Sequence, residues 1–332
     1  MRVLWLCNIM LPMIAEQLHI EASVKEGWLS GLAESCIRRR EENDITLAVA
    51  FPVMGELGRM ETLAAESAGH SDEGAVHVEK HIYDGSVIYR RGNPQTQAAA
   101  SAKVPVWYAF AEDTGNPHLY DERLERSLHY ITKDFRPDVV HCFGTEYPHT
   151  LALCRAFPDK NRILIGIQGL CTPIAEAYYA DLPEQVIRQA TLRDILKRDS
   201  LRQQQGKFVL RGKAEREAVA LAGNVTGRTA WDRRYMAEWN PDARYFDMNE
   251  TLRADFYTGQ WKAENCEPHS IFLSQGDYPL KGLHYMLLAL PKIRQEFPDV
   301  KVYVAGNSII GEGGLMKRLK IPAYGKYLRS LI

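Results

Sequence analysis

Ser270-Ile271-Phe272-Leu273-Ser274, then Lys281-Gly282, then Val302-Tyr303-Val304-Ala305-Gly306: the fold is read from these runs and what separates them. Each apolar run has the length and composition of a buried strand. The first is followed by a short turn and a stretch of helical pattern, and glycine closes the second. This is a β-α-β unit, and it opens a layered α/β domain. Units of this kind set ligand-binding groups at the carboxyl ends of their strands. The chain runs on only to Ile332. That gives about two β-α repeats, where a whole domain needs about 100 residues. The expectation is a full N-terminal domain joined to the first part of a second.

Working back from this unit, strands are expected at residues 3–7, 45–51, 138–143, 162–167 and 224–227. Helices are expected at 25–40, 122–135, 148–157, 185–198, 212–221 and 231–238, where apolar residues recur at helical spacing. Residues 77–90 alternate around Asp84-Gly85, a hairpin signal. Residues 8–24 read as a long connection containing proline, and 54–74 as loop with at most a short helix. Residues 170–221 hold no strand, and 244–265 are irregular and rich in Tyr, Phe and Trp. Strands alternating with helices imply a mostly parallel sheet with helices on both faces. The organisation expected is an N-terminal domain over 1–225, a junction over 226–268 and a partial second domain over 269–332.

Composition narrows the classes. A length of 332 residues suits two domains, and a formal charge of -1 with 45% hydrophobic residues suits an ordinary globular chain. No basic run is long enough to neutralise a row of phosphates, so a nucleic-acid partner is not expected. Arg38-Arg39-Arg40 ends a predicted helix, where positive charge complements the dipole. Met1 to Leu6 is too short and too strand-like for a secretory leader, and no window approaches the roughly 18 apolar residues of a membrane span. The default location is the cytoplasm. The six cysteines are scattered without a CxxC pair, which argues against zinc and against a disulfide framework. Cys7 and Cys142 read as core residues.

The common local signatures are missing. Cys7-Asn8-Ile9-Met10-Leu11-Pro12 stands where a dinucleotide-binding GxGxxG would follow the first strand, and there is no GxxxxGK[ST], GxSxG or HExxH. No pair of carboxylates flanks an obvious site. What remains are loops after strands. In Glu26-Gly27-Trp28-Leu29-Ser30-Gly31-Leu32, Gly27 either lets a ligand reach helix N-terminal amides or serves only packing. His141 ends a strand in His141-Cys142-Phe143-Gly144-Thr145-Glu146-Tyr147-Pro148-His149 and can serve a hydroxyl or a developing charge. Glu146 either reaches the same cleft or satisfies the next helix start, and the amide of Gln168 has the same two readings. Arg228 offers donors for phosphate, or pairs with Asp232. Asn249-Glu250-Thr251-Leu252-Arg253 is helix-cap chemistry or a linker touching a ligand. Lys281, in the turn after a buried strand, can neutralise a diphosphate.

Five of these segments together carry a family resemblance: residues 26–32, 141–149, 227–232, 249–253 and Ser274-Gln275-Gly276-Asp277-Tyr278-Pro279-Leu280-Lys281-Gly282. Val304-Ala305-Gly306-Asn307 fits the next strand end. In order and spacing the chain resembles a retaining glycosyltransferase of family 4, most closely the bacterial members that build capsular polysaccharide or exopolysaccharide. The resemblance implies the GT-B arrangement: α/β, two Rossmann-like domains facing a cleft, the second incomplete here. It implies transfer of a sugar from a nucleotide-sugar donor to a glycan or lipid-linked acceptor with retention. No metal and no separate cofactor are implied, and attachment to the inner face of a membrane is compatible with it. His141 and Lys281 would be catalytic; Gly27, Arg228, Gly276 and Lys281 would hold the donor; Glu146 and Gln168 would lie on the acceptor side. Two departures stand out. Gly276 occupies the position five before the lysine where the family carries arginine, and the family's E-x7-E pair is not reached before Ile332. A non-catalytic glycan- or nucleotide-binding fragment is the alternative reading, and a sugar-nucleotide epimerase is a third.

Overall fold

Strand β1 (Arg2–Leu6) lies near the middle of a nine-stranded sheet. With it come β2 (Thr46–Val53), β3 (Val78–Tyr83), β4 (Ser86–Arg91), β5 (Val106–Ala111), β6 (Val139–Phe143), β7 (Ile163–Gly166), β8 (Asn224–Gly227) and β9 (Arg244–Asp247). The order is β3-β4-β5-β2-β1-β6-β7-β8-β9. Every neighbouring pair is parallel except β3 with β4 and β4 with β5. A computed structural model of the chain describes residues 1–22, 27–69, 76–91, 104–252, 255–311 and 320–332.

Both faces of this sheet are buried, and that is why its central strands are continuous apolar runs. On one face Leu4, Leu6, Ala48, Ala50, Val140, Cys142, Ile163 and Ile165 pack with Leu124, Leu128, Ile131 and Phe135 of the helix Arg123–Phe135 and with Leu151 of the helix Pro148–Ala156. On the other, Trp5, Cys7, Val49, Phe51, Trp107 and Phe143 pack with Ile14 and Leu18 of the helix Pro12–Leu18, and with Leu29 and Ala33 of the helix Gly27–Arg38. Each fully buried Leu, Ile or Phe contributes about 1.5–3 kcal/mol by leaving water. Cys7 and Cys142 are core residues as expected.

The α/β class, the parallel central sheet and the hairpin at Asp84-Gly85 agree with the sequence reading. Both turn residues of the hairpin have positive φ, as a two-residue turn between twisted strands requires. Four local expectations are corrected. The connection at 8–24 contains the helix Pro12–Leu18, in which proline takes the first helical position. The loop expected at 54–74 contains the 13-residue helix Leu57–Gly69. β9 falls in a stretch read as irregular and β5 in one for which no element was expected, and both are sheet members. The single helix expected at 185–198 is two, Glu184–Arg188 and Leu192–Lys197, because Thr191 and Asp194 form a capping box that starts a new helix.

The chain divides into two compact units: Met1–Cys171 with Arg211–Gly259, and Thr172–Leu210 with Gln260–Ile332. The second holds a two-stranded parallel sheet, β10 (Ser270–Leu273) and β11 (Lys301–Val304), linked through the helix Leu283–Glu296. Its core joins Tyr178, Leu182, Val186, Ile187 and Leu201 to Leu283, Tyr324 and Leu328. Phe272, 71% exposed, and Tyr303 lie open on the small sheet, as expected for so few strands. Asp194, 1% exposed, ties the helical excursion to the helix Ala323–Leu331. Its carboxylate accepts the N–H of Thr191 at 3.0 Å, the N–H of Ala323 at 2.9 Å and an N–H of Arg193 at 3.0 Å.

Removing this carboxylate leaves two buried backbone donors without their acceptor, while Arg193 keeps Asp199 at 3.1 Å. Asp194→Ala is expected to cost about 2–4 kcal/mol, and Asp194→Asn less, because one acceptor oxygen remains. Hydrogen exchange at the amides of Ala323–Leu331 should accelerate in the alanine variant. Unchanged exchange there with full resistance to urea would refute the tie.

Candidate active site

The turn after β6 builds the site. Gly144 has φ +95°, a left-handed conformation that costs glycine least, and a Cβ on it would collide with the Glu146 carboxylate. Its N–H donates to the Gly166 carbonyl at 2.8 Å and its carbonyl accepts the Thr150 hydroxyl at 2.8 Å. Thr145 donates its hydroxyl to Glu215 at 2.8 Å, and the same carboxylate oxygen accepts the N–H of Cys171 at 2.8 Å. Arg211 donates to the Glu146 carbonyl at 2.8 Å. Pro148 then starts the next helix, with no N–H to leave unpaired.

His141 lies within β6 and is 7% exposed. Its ring packs on Phe143, with centroids 3.9 Å apart. Its Nε2 is buried and has no hydrogen-bond partner among the described residues. Gly166 on β7 leaves the room beside it: a Cβ there would stand 3.0 Å from that nitrogen. Burial alone pushes the imidazole pKa down to about 3, so the ring is neutral near pH 7. Two more buried polar atoms without a hydrogen-bond partner among the described residues are Thr226 Oγ1 on β8 and Gln168 Nε2 just past β7. Unpaired buried polar atoms are uncommon, and a group here suits ligand hydroxyls.

Past β8, Arg228 is already engaged. Its guanidinium pairs with Glu250 and donates to the Gln168 carbonyl at 3.2 Å. Asp232, weighed as its partner, instead accepts the backbone N–H groups of Arg228 and Thr229 and closes a capping box. Gly27 begins the helix Gly27–Arg38. That helix meets the segment carrying Glu250, because Thr251 donates its hydroxyl to the Trp28 carbonyl at 2.8 Å. Gly276 and Lys281 belong to the second unit. Gly276 is buried where a Cβ would press on Leu283 and Val304. Lys281 ends the turn Pro279–Lys281, is exposed, and holds its Nζ 5.4 Å from the centre of the Tyr278 ring.

One group was not picked out from the sequence. His149, fully buried, turns Nδ1 to Glu112 at 2.6 Å and Nε2 to the side-chain oxygen of Asn8 at 3.1 Å. Tyr147 stacks on it with ring planes 6° apart. Asn8 and Tyr147 line a cavity of about 470 Å³ with Met10, Glu21, Met54, Glu56 and Thr114, at the carboxyl ends of β1, β2, β5 and β6. Strand order reverses between β1 and β6, and open α/β sheets bind ligands at that point. The signal was partly visible: His149 closes the quoted 141–149 segment, but Glu112 follows the overlooked strand β5. The buried thiols are not nucleophiles, because burial pushes Cys154 and Cys171 up to about 12. Among the described residues no three His, Cys, Asp or Glu side chains group to hold a metal ion. No helix among them is long and apolar enough to cross a membrane.

No family model matches the sequence, and no curated protein sequence aligns with it significantly. Among solved structures, starch synthase IV of Arabidopsis thaliana, bound to ADP and acarbose, is 11% identical, with 92% of this chain and 74% of that one covered and a TM-score of 0.37. UDP-GlcNAc 2-epimerase of Neisseria meningitidis, bound to UDP-GlcNAc, is 11% identical over 100% of this chain and 69% of that one, with a TM-score of 0.42. Sucrose-phosphate synthase of Thermosynechococcus elongatus is 11% identical over 100% and 67%, with a TM-score of 0.48. Similarity at this level transfers no residue role, substrate or reaction.

The His141 environment predicts acid sensitivity. The folded state holds this ring neutral while the unfolded state protonates it near pH 6.5, so its contribution is complete above that pH and lost as pH falls toward 3. At pH 5 the protein should have lost about 2 kcal/mol from this group alone. His141→Gln should show a shallower loss between pH 7 and 5 in urea unfolding. An unchanged pH slope would show that the ring is not held neutral.

Proposed function

We propose that the chain is a glycosyltransferase of the retaining, family-4 type, using a nucleotide-sugar donor and a glycan or lipid-linked acceptor. The observation that carries the reading is the row of polar groups along the carboxyl ends of β6, β7 and β8: a neutral buried His141, the Gln168 amide, Thr226 and Arg228. The motif order along the sequence supports the same reading. The first unit would take the acceptor and the second the nucleotide, with Lys281 neutralising the diphosphate as it leaves. Gly27 and Gly276 would allow close approach of donor groups. His141 would meet the transferred sugar, and Glu146 and Gln168 would lie toward the acceptor.

The difficult step is loss of a nucleoside diphosphate from the anomeric carbon. Fixed donors and positive charge lower that barrier by stabilising charge as it develops. His141, neutral at working pH, can exchange a hydrogen bond with a sugar hydroxyl but does not supply a cation. The leaving phosphate oxygen would itself take the acceptor proton in a front-face route, which needs no separate carboxylate base. Arg228 would reach a phosphate only by giving up Glu250. That exchange tunes affinity, since the pair is about 30% exposed and modest in strength. Membrane attachment at the inner face remains part of the proposal where the acceptor is lipid-linked.

The decisive assay incubates the protein with a panel of labelled nucleotide sugars and glycan acceptors. Release of nucleoside diphosphate together with a new glycosidic bond is expected. An epimerised sugar with no new bond would replace this reading with that of an isomerase. Lys281→Ala should weaken nucleoside diphosphate binding by about 10- to 100-fold in calorimetry, for loss of one charged donor. Unchanged affinity would remove Lys281 from the site.

A further inference from the structure

The cavity at the ends of β1, β2, β5 and β6 has an unbalanced lining. Glu21 and Glu56 contribute two carboxylates, Asn8 an amide, Thr114 a hydroxyl and Tyr147 a phenol; no described lining residue is basic. Below it, the His149 imidazole joins Glu112 to Asn8 in a place with almost no solvent. The Asn8 amide nitrogen lies over Gly144, 3.0 Å from where a Cβ would be, so a side chain at that residue would push the amide away. His149 therefore holds one cavity-lining polar group in place from behind. It touches no ligand itself, and its part is that of a positioning residue.

We infer that this cavity binds a polyhydroxylated ligand that carries no anionic group, seated against Asn8, Thr114 and Tyr147. Hydroxyl groups match amide, hydroxyl and phenol partners, and Met10, Met54 and Pro52 offer apolar surface to the face of a sugar ring. A phosphate or uronate would enter beside two carboxylates with no cation among the described lining residues to meet it, and like charges at that range repel. An ammonium group would be tolerated or favoured. This deepens the glycosyltransferase reading and rests on it: the acceptor sugar would be neutral or amino-bearing at the end that enters.

The two methionines provide the readout. Methyl-labelled methionine spectra of the full chain, with Met10 and Met54 assigned through Met10→Leu and Met54→Leu, are titrated with methyl glucoside, glucosamine and glucuronate. Both methyl signals should move with the first two sugars, and glucuronate should bind about tenfold more weakly or worse. Glu21→Gln with Glu56→Gln should bring glucuronate to within about threefold of methyl glucoside. His149→Gln should weaken methyl glucoside about tenfold while UDP, GDP and ADP binding stays as it was. If that variant unfolds, Asn8→Ala tests the same seat and should show the same loss. Equal binding of all three sugars, or glucuronate preferred, overturns the inference. So does a cavity whose methyl signals move with no sugar while a nucleoside diphosphate still binds; in that case the enzyme reading survives. Methyl shifts with neutral sugars but no nucleoside diphosphate binding would leave the inference standing and remove the glycosyltransferase reading.

Discussion

The chain leaves the central sheet at Gly144 in a conformation that disfavours a side chain, and most of the candidate site hangs from that turn. Its N–H is fixed to β7 and its carbonyl to the following helix. Thr145, Glu146, Tyr147 and His149 then follow at set places, one toward Glu215, one over the glycine itself, one over the cavity and one beneath it. A substitution at Gly144 would therefore disturb four roles through one backbone angle. The same turn places the helix Pro148–Ala156 against the core helix Arg123–Phe135. Site geometry and core packing are thus set together.

Charge in the first unit is largely self-satisfied. Arg228 faces Glu250, His149 faces Glu112, and Glu215 accepts a hydroxyl and a backbone amide. His141 avoids the problem by staying neutral. Buried charges without partners cost several kcal/mol, so such pairing is the state expected before a ligand arrives. Among the described residues, His141 Nε2, Thr226 Oγ1 and Gln168 Nε2 are buried uncharged atoms with no hydrogen-bond partner to give up. Uncharged donors and acceptors suit sugar hydroxyls. The cavity beside β1 continues that character and adds negative charge at its edge.

Much of the fold was legible in the sequence. The apolar runs of β1, β2, β6 and β7 stand out because strands covered on both faces contain few polar residues, and those of β10 and β11 by their β-branched and aromatic residues. Helix Arg123–Phe135 was equally plain from its apolar stripe. Mixed composition hid β9 and the helix Leu57–Gly69, whereas β5 is apolar throughout and its run Val106–Ala111 carries the strand signal in full. β9 carries Arg244 and Asp247 at an edge where three of its four residues are exposed, and the helix Leu57–Gly69 packs mainly through Met60 and Leu63. His141, Arg228 and Lys281 could be named as candidates from their place after strands. The partner of Arg228 could not, since Glu250 is remote in sequence from it, and neither could the meeting of His149 with Asn8.

The sequence by itself determined the class of architecture, the strand ends where polar groups collect, and the residue types available there. Those follow from local periodicity and turn chemistry, which act over a few residues. Tertiary structure alone decided which groups became partners and which kept unfilled hydrogen bonds. His141 became neutral because three strands and Phe143 exclude water from it, and no residue next to it in sequence could show that. Asn8, Glu112 and His149 came together across β1, β5 and β6 because parallel strands bring distant carboxyl ends side by side. Burial and cross-strand proximity are properties of the assembled sheet, and they fixed the chemistry of this site.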